Sequence, residues 1–321
     1  MRAPENQRIR AALDERPHER LDEDHRVRAG QVAVSDLVAG LPSLAGLPLE
    51  LEQVAQVDSK DMGFGVWQAL AVRVAHNLAR DDVAGVVITH GTDTLEETAW
   101  FLQRVLQPAK PVVLTCAMRP ATALVPDGPQ NLLDAVCVAG DPAIHGVVAV
   151  CAGQVHAARH VAKVHSYRTD AFDSGDAGPI GCVEEGVLRL FHPWPESRPE
   201  APFDGAGLAR IERAVDLPRV EWVNSHADAD GTLVRGLLAL AAQEPARLPR
   251  GIVVAGTGNG TLHRSLMEAL GLAQAAGVRV VRATRCARGR VIPDGQSPFP
   301  EVTDLSPAKA RLALALDLLE A

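Results

Sequence analysis

Residues 84–106 read AGVVITHGTDTLEETAWFLQRVL, and this stretch decides the fold class. Val86, Val87 and Ile88 form a short apolar, β-branched run of the kind that makes a buried strand, and the polar loop Thr89, His90, Gly91, Thr92, Asp93 follows at once. Thr94 and Glu97 stand in the capping-box arrangement, in which hydroxyl and carboxylate satisfy the first free backbone N–H groups of a helix. Leu95, Ala99, Leu102 and Leu106 then recur at helical spacing. Strand, tight loop and helix start in this order place a hydroxyl and a carboxylate at the carboxyl end of a strand, where open α/β sheets bind ligands. Gly91 lets the backbone approach a ligand closely, and Thr92 beside Asp93 offers a candidate nucleophile with an acidic neighbour. The same letters also describe an ordinary capped turn, since Thr, Asp and Gly are common turn residues.

Composition narrows what such a site can serve. A chain of 321 residues can bury a large core and is expected to split into two domains. Its formal net charge of −8, with no run of Lys or Arg interleaved with aromatics, lacks the footprint of a nucleic-acid binder and suits a small-molecule site. The five cysteines (Cys116, Cys137, Cys151, Cys182 and Cys286) are odd in number and show no CxxC spacing, so they read as reduced core residues. No apolar stretch is long enough to cross a bilayer and no apolar leader core opens the chain. A cytoplasmic protein with no membrane partner is expected, a periplasmic one if the true N-terminus differs.

The pattern of residues 84–106 repeats along the chain. A helix is expected over 34–44, a strand over 49–56, and then the loop Asp58, Ser59, Lys60, Asp61, Met62 before a helix with Trp67, Leu70, Val74 and Leu78 on one face. Residues 110–116 form another apolar strand, and the string DGPQNL at 127–132 opens a helix with proline in its first turn. Residues 145–152 are a third buried strand. His156, His160 and His165 stand four and five apart, which invites a metal reading, but no HExxH pattern, carboxylate or cysteine completes a ligand set, so no metal is expected. Residues 191–217 turn proline-rich and polar, as a linker does. Beyond them strands at 220–223, 252–255 and 278–281 alternate with helices at 233–242, 262–275 and 307–319. The loop GTGNG at 256–260 fits neither GxGxxG nor GxxxxGK followed by Ser or Thr, so a nucleotide site is not indicated and no cofactor is expected.

The strings themselves carry a resemblance. THGTDTLEETAWFL is similar, almost residue by residue, to a signature of the bacterial L-asparaginase family (asparaginase/glutaminase, type II-like), and DSKDM, VLTCAMRP, DGPQNLLDA, SYRTDAF and AGTGNG resemble further strings of that family. The resemblance implies a two-domain asparaginase-like α/β fold, with a larger N-terminal doubly wound, mostly parallel sheet and a smaller C-terminal α/β domain. It implies hydrolysis of L-asparagine, or of L-glutamine, through a threonine-dependent acyl-enzyme, in a homotetramer of close dimers with sites shared between subunits. It assigns Thr92, Asp93 and Lys163 as catalytic, Ser59 to the α-carboxylate of the substrate, Gly91 to substrate binding, the backbone carbonyl of Ala117 to the substrate amide, and Asn259 to the site of a neighbouring subunit. A lysine amine acts as base only when neutral; burial favours that form and a carboxylate beside it opposes it. The three groups are expected to converge on one dry pocket.

The opening of the chain departs from the family. Seven arginines and seven acids make up 14 of the first 28 residues, with no Gly, Ser or Thr among them. The segment reads as a charged helix around residues 9–13 or a disordered arm, not as a buried strand. Its Arg, Pro, Ala and His content is what shifted GC-rich codons give, so a wrong start or out-of-frame stretch is expected. The family's first strand, its first catalytic threonine and its hinge tyrosine have no visible counterpart: the first threonine is Thr89, the tyrosine position is Val27, and the sole tyrosine is Tyr167. A missing first strand would leave a gap in the middle of the sheet. Segments are therefore drawn at 1–29 (atypical charged segment), 30–191 (first α/β domain), 192–217 (linker) and 218–321 (second α/β domain). The alternative reading is a non-catalytic relative that binds asparagine or aspartate, or pairs with an intact homologue.

Overall fold

The apolar runs become strands because a buried sheet satisfies every backbone N–H and C=O while hiding both faces. The structure, a computed structural model, describes residues 8–14, 34–192, 194, 207–293 and 295–320. It divides into two compact units, one ending at Arg213 and one beginning at Ala214.

The first unit runs β1 (Arg8–Asp14), α1 (Val34–Ala39), β2 (Leu49–Gln56), α2 (Phe64–Leu78), β3 (Val83–Thr89), α3 (Leu95–Leu106), β4 (Pro111–Thr115), α4 (Gly128–Ala139), β5 (Gly146–Cys151), β6 (Gln154–Ala157), β7 (Ala162–Lys163), β8 (Phe172–Asp173), β9 (Gly181–Glu184), β10 (Val187–Leu190) and α5 (Gly207–Arg213). Its sheet has eight strands in the order β10-β9-β6-β5-β4-β3-β1-β2. The neighbours from β2 to β5 are parallel, whereas β6, β9 and β10 extend the sheet antiparallel. Side chains alternate across it. Val87, Val113 and Val148 pack with Leu132, Ala135 and Val138 of α4 on one face. On the other side α2 and α3 meet, and Trp67 stacks on Phe101 with ring centroids 5.2 Å apart.

The N-terminal expectation does not hold. Residues 8–14 are neither helix nor arm but strand β1, seated between β2 and β3, with Ile9 opposite Leu49 and Gly85, and Ala11 opposite Leu51 and Val87. The slot is filled, so the middle of the sheet has no gap. The physical reason is that a ladder binds backbone, and a slot with two partners rewards any seven residues that can extend. RIRAALD also carries a short alternation of Ile9, Ala11 and Leu13 that the surrounding charges hide. Val27 lies outside the described residues.

Within the stretch read as a linker, residues 207–213 are helix α5. Its Ile211 is fully buried, and its carbonyl accepts from Gln68 Nε2 of α2 at 2.6 Å. Strands β6 to β10 were not expected from the sequence; each has four residues or fewer, too short for a period to show.

The second unit runs β11 (Val220–Asn224), α6 (Thr232–Gln243), β12 (Gly251–Gly256), α7 (Arg264–Ala275), β13 (Arg279–Thr284) and α8 (Pro307–Glu320). Its three strands are parallel in the order β11-β12-β13. Ile252 and Val254 face α7 through Leu266, Ala269 and Leu270, while Val253 faces Ala310 and Leu314 of α8. Among the described residues, no helix is long and apolar enough to cross a membrane.

Candidate active site

Two strand exits and a short ribbon build the site. β3 ends at Thr89, and His90 N–H continues the ladder by donating to the Thr115 carbonyl of β4 at 2.8 Å. The chain then turns through Gly91, Thr92 and Asp93 into α3. The ribbon of β7 and β8, antiparallel with Lys163 opposite Phe172, brings a lysine to that turn. Lys163 Nζ lies 2.7 Å from Thr92 Oγ1 and 2.5 Å from Asp93 Oδ1, and Thr92 Oγ1 is 3.4 Å from the same carboxylate oxygen. The lysine side chain is 18% exposed and that of Asp93 54%, so the described residues bring the three groups together at an open face rather than in the expected dry pocket.

Glu96 fixes where the lysine sits. Its carboxylate accepts from the Lys163 backbone N–H at 3.0 Å, tying the ribbon to the first turn of α3. Sequence reasoning passed over Glu96 because its partner lies 67 residues away; its one signal was an acid in a helix's first turn.

The expected capping box does not form. Thr94 is the residue before α3, but its hydroxyl donates instead to the Ser59 carbonyl at 2.8 Å. The Ser59 carbonyl of the neighbouring loop, which also accepts the Met62 N–H at 3.2 Å, competed successfully for that hydroxyl. Ser59, 2% exposed, also accepts the Asp93 N–H on its Oγ at 3.2 Å. The exits of β2 and β3 are thereby stitched together, with Ser59 against the turn that carries Thr92 and Asp93.

Behind Gly91 runs a relay of buried groups. The Trp67 indole, which can only donate, gives its N–H to Thr98 Oγ1 at 2.8 Å. The Thr98 hydroxyl meets His90 Nε2 at 2.9 Å, and His90 Nδ1 meets the Gly91 carbonyl at 2.7 Å. A carbonyl can only accept, so Nδ1 carries the proton, Nε2 accepts, and Thr98 donates to it. The ring is neutral for a second reason: complete burial lowers its pKa to about 4 against the smaller opposing pull of the Gly91 carbonyl. The relay clamps the peptide between Gly91 and Thr92.

The β4 exit is held from α4. Asp127 accepts from Met118 N–H and Arg119 N–H, each at 2.9 Å, and Asn131 Nδ2 donates to the Cys116 carbonyl at 2.9 Å. Ala117 lies between these anchored residues and is exposed. Two of the three histidines that invited a metal reading have other partners. His156 Nδ1 pairs with Ser174 Oγ at 2.9 Å, and His165 Nδ1 accepts the N–H groups of Tyr167 and Arg168 in a turn.

Known proteins match this arrangement along almost the whole chain. The family profile described as Asparaginase, N-terminal, matches residues 19–196, and that described as Glutaminase/Asparaginase C-terminal domain matches residues 219–320. The chain is 35% identical over 300 residues to L-asparaginase 2 of Escherichia coli (91% of this chain, 82% of that protein). It is 34% identical over 297 residues to L-asparaginase 2 of Bacillus subtilis (91% and 76%). The chain belongs to the asparaginase family.

Among solved members of that family, a probable cytoplasmic L-asparaginase from Campylobacter jejuni superposes with a TM-score of 0.85 at 31% identity, covering 99% of this chain and 96% of that one. The asparaginase fold read from the sequence strings is therefore the fold of this chain, a mixed α/β unit with a mostly parallel sheet followed by a smaller α/β unit. In the second unit, the asparaginase-like string AGTGNG forms the β12 exit. Asn259 there donates Nδ2 to the Ile292 carbonyl at 3.0 Å and accepts the Ile292 N–H on Oδ1 at 2.7 Å. These bonds imitate a strand pair and pin the segment around residue 292 within the same chain.

Proposed function

We propose that this chain hydrolyses the side-chain amide of L-asparagine to L-aspartate and ammonia, with Thr92 as the hydroxyl that forms an acyl-enzyme. The observation that carries the reading is the contact of one lysine ammonium with both the Thr92 hydroxyl and the Asp93 carboxylate. A threonine hydroxyl is a weak nucleophile unless a base sits beside it. Once Lys163 passes a proton to solvent through the exposed Asp93, it can take the Thr92 proton as oxygen attacks the amide carbon. Nitrogen then leaves as ammonia, and water releases aspartate. Ser59 keeps its hydroxyl hydrogen while accepting from Asp93, which leaves it a donor for the substrate α-carboxylate. Gly91 and the Ala117 carbonyl, at adjacent strand exits, are the backbone contacts proposed for the substrate.

The relatives' names support this substrate class. One from Pseudomonas fluorescens, 34% identical over 295 residues (89% of this chain, 78% of that protein), is a glutaminase-asparaginase, so glutamine is the second amide to try. The assembly proposed is a homotetramer, with Asn259 of one subunit at the site of another through its second amide hydrogen. The compartment proposed is the cytoplasm, in line with five cysteines that are all free.

Ammonia release from L-asparagine tests the reading. Turnover that falls by three or more orders of magnitude in both Thr92→Ala and Lys163→Met supports it. Calorimetric binding of asparagine with no ammonia from the unaltered chain would replace it with the non-catalytic reading.

A further inference from the structure

Two of the five cysteines touch. Cys116 and Cys151 lie with their sulfurs 3.4 Å apart, and both are buried, at 7% and 3% exposure. They follow the register pair Thr115 and Val150 on the parallel strands β4 and β5. Neighbouring strands run about 4.8 Å apart, inside the range of about 4.4–6.8 Å that disulfides bridge between Cα atoms. Closing the sulfurs to a bond of about 2.05 Å takes roughly 1.4 Å of movement, within reach of side-chain rotation and a small shift of strand ends.

The backbone around the pair is fastened on both sides. Thr115 Oγ1 donates to the Val150 carbonyl at 2.8 Å just before the two cysteines. Just after them, the single side chain of Asn131 donates Nδ2 to the Cys116 carbonyl and accepts the Ala152 N–H on Oδ1, each at 2.9 Å. The sulfurs are thus held facing each other, which is the costly part of making a disulfide. Cys182 offers a contrast: β6 lies between its strand and β5, so it cannot reach Cys151. The hydrogen bond that Cys116 donates to Cys151 and then burial hold the Cys116 thiol well above its ordinary pKa, so that thiol reacts slowly at neutral pH and faster as pH rises.

We propose that Cys116 and Cys151 are an oxidation site, a dithiol that a small peroxide converts to a disulfide, shifting the β4 exit and slowing amide turnover. One thiolate attacks the peroxide O–O bond and becomes a sulfenic acid with loss of water. The second sulfur then displaces the hydroxyl as a second water, so two S–H bonds are lost, one S–S bond forms and the peroxide takes both electrons. A dithiol reductant reverses it. The residue drawn along is Ala117, next to Cys116, whose carbonyl is proposed to hold the substrate amide; a misplacement on the order of 1 Å can cost about a hundredfold in rate. The effect on turnover rests on the amidase reading above, whereas the bond itself does not.

The test uses the full chain carrying Cys286→Ser, which removes the exposed thiol, treated with hydrogen peroxide at mildly alkaline pH. The expected result is loss of two thiols, a mass lower by two hydrogens, a proteolytic fragment joining the Cys116 and Cys151 peptides, and a ten- to hundredfold fall in ammonia release that dithiothreitol restores. Adding Cys151→Ser should leave basal turnover intact and abolish both the crosslink and the loss. A crosslink that joins other cysteines, or no crosslink after prolonged exposure, overturns the site; a correct crosslink with unchanged turnover overturns its coupling to the β4 exit. An untreated chain that releases no ammonia would remove the amidase reading while the peptide map still decides the pair.

Discussion

His90 makes the stability of this protein fall in mild acid. The ring is neutral in the fold, with its pKa lowered by burial to about 4 from the ordinary 6.5. Because the folded pKa is the lower one, the unfolded chain takes up the proton first, so the ring's contribution is complete above about pH 6.5 and is lost as pH falls toward 4. Across the whole window the difference is worth about 3 kcal/mol, of which about 2 kcal/mol falls between pH 7 and pH 5. For a unit of this size that is a drop in Tm of about 4–8 °C. The control is His90→Gln, whose amide can still donate to Gly91 and accept from Thr98 but does not titrate. Whatever the substitution costs at pH 7, its Tm should fall less than that of the unaltered chain between pH 7 and pH 5, by about the figure above, in scanning calorimetry. Equal losses in the two chains would mean that the imidazole already carries its second proton or meets water, and the relay from Trp67 through Thr98 to Gly91 would be wrong.

Three other outcomes follow from the surroundings of Glu96, Gly85 and Asn259. Glu96→Ala should lower kcat for asparagine about tenfold with little change in KM, while Glu96→Gln, whose carbonyl can still accept the Lys163 N–H, should recover most of it in steady-state assays. Gly85→Ala puts a methyl carbon 2.4 Å from the Ala139 carbonyl oxygen and 3.0 Å from that of Pro111, backbone atoms that cannot step aside, so it should lower the stability measured by urea unfolding by about 3 kcal/mol. Asn259→Ala removes both bonds to Ile292 and should speed tryptic cleavage after Arg290 without shifting the far-UV circular dichroism; an unchanged cleavage rate would show that the segment is held by other contacts.

The larger elements were legible because their runs are long enough for a period to show. The strand at residues 49–56 was read to its ends, as was the face of α2 that buries Trp67, Leu70 and Val74. The turn with Thr92 and Asp93 was legible from a β-branched run meeting a polar loop and then a helical repeat. Lys163 was placed only through the family strings, since nothing local distinguishes it from a surface lysine. Glu96, Thr98 and Asn131 stayed hidden for a common reason: each acts on a partner far along the chain, and no spacing within one element records that. The capping box failed as an inference from spacing alone, because Thr94 had a better acceptor in Ser59 than the pattern could reveal. β1 was misread because composition outweighed a seven-residue alternation.

That strand also has a schedule. It leaves the ribosome before either of the strands it joins, and its second flank, β3, is complete only at Thr89, roughly 75 residues later. At translation rates of about 5–20 residues per second, the nascent peptide waits about 4–15 s with neither edge satisfied. Until the cleft that receives it has been synthesised, such an unpaired ribbon is a template on which its siblings can pair.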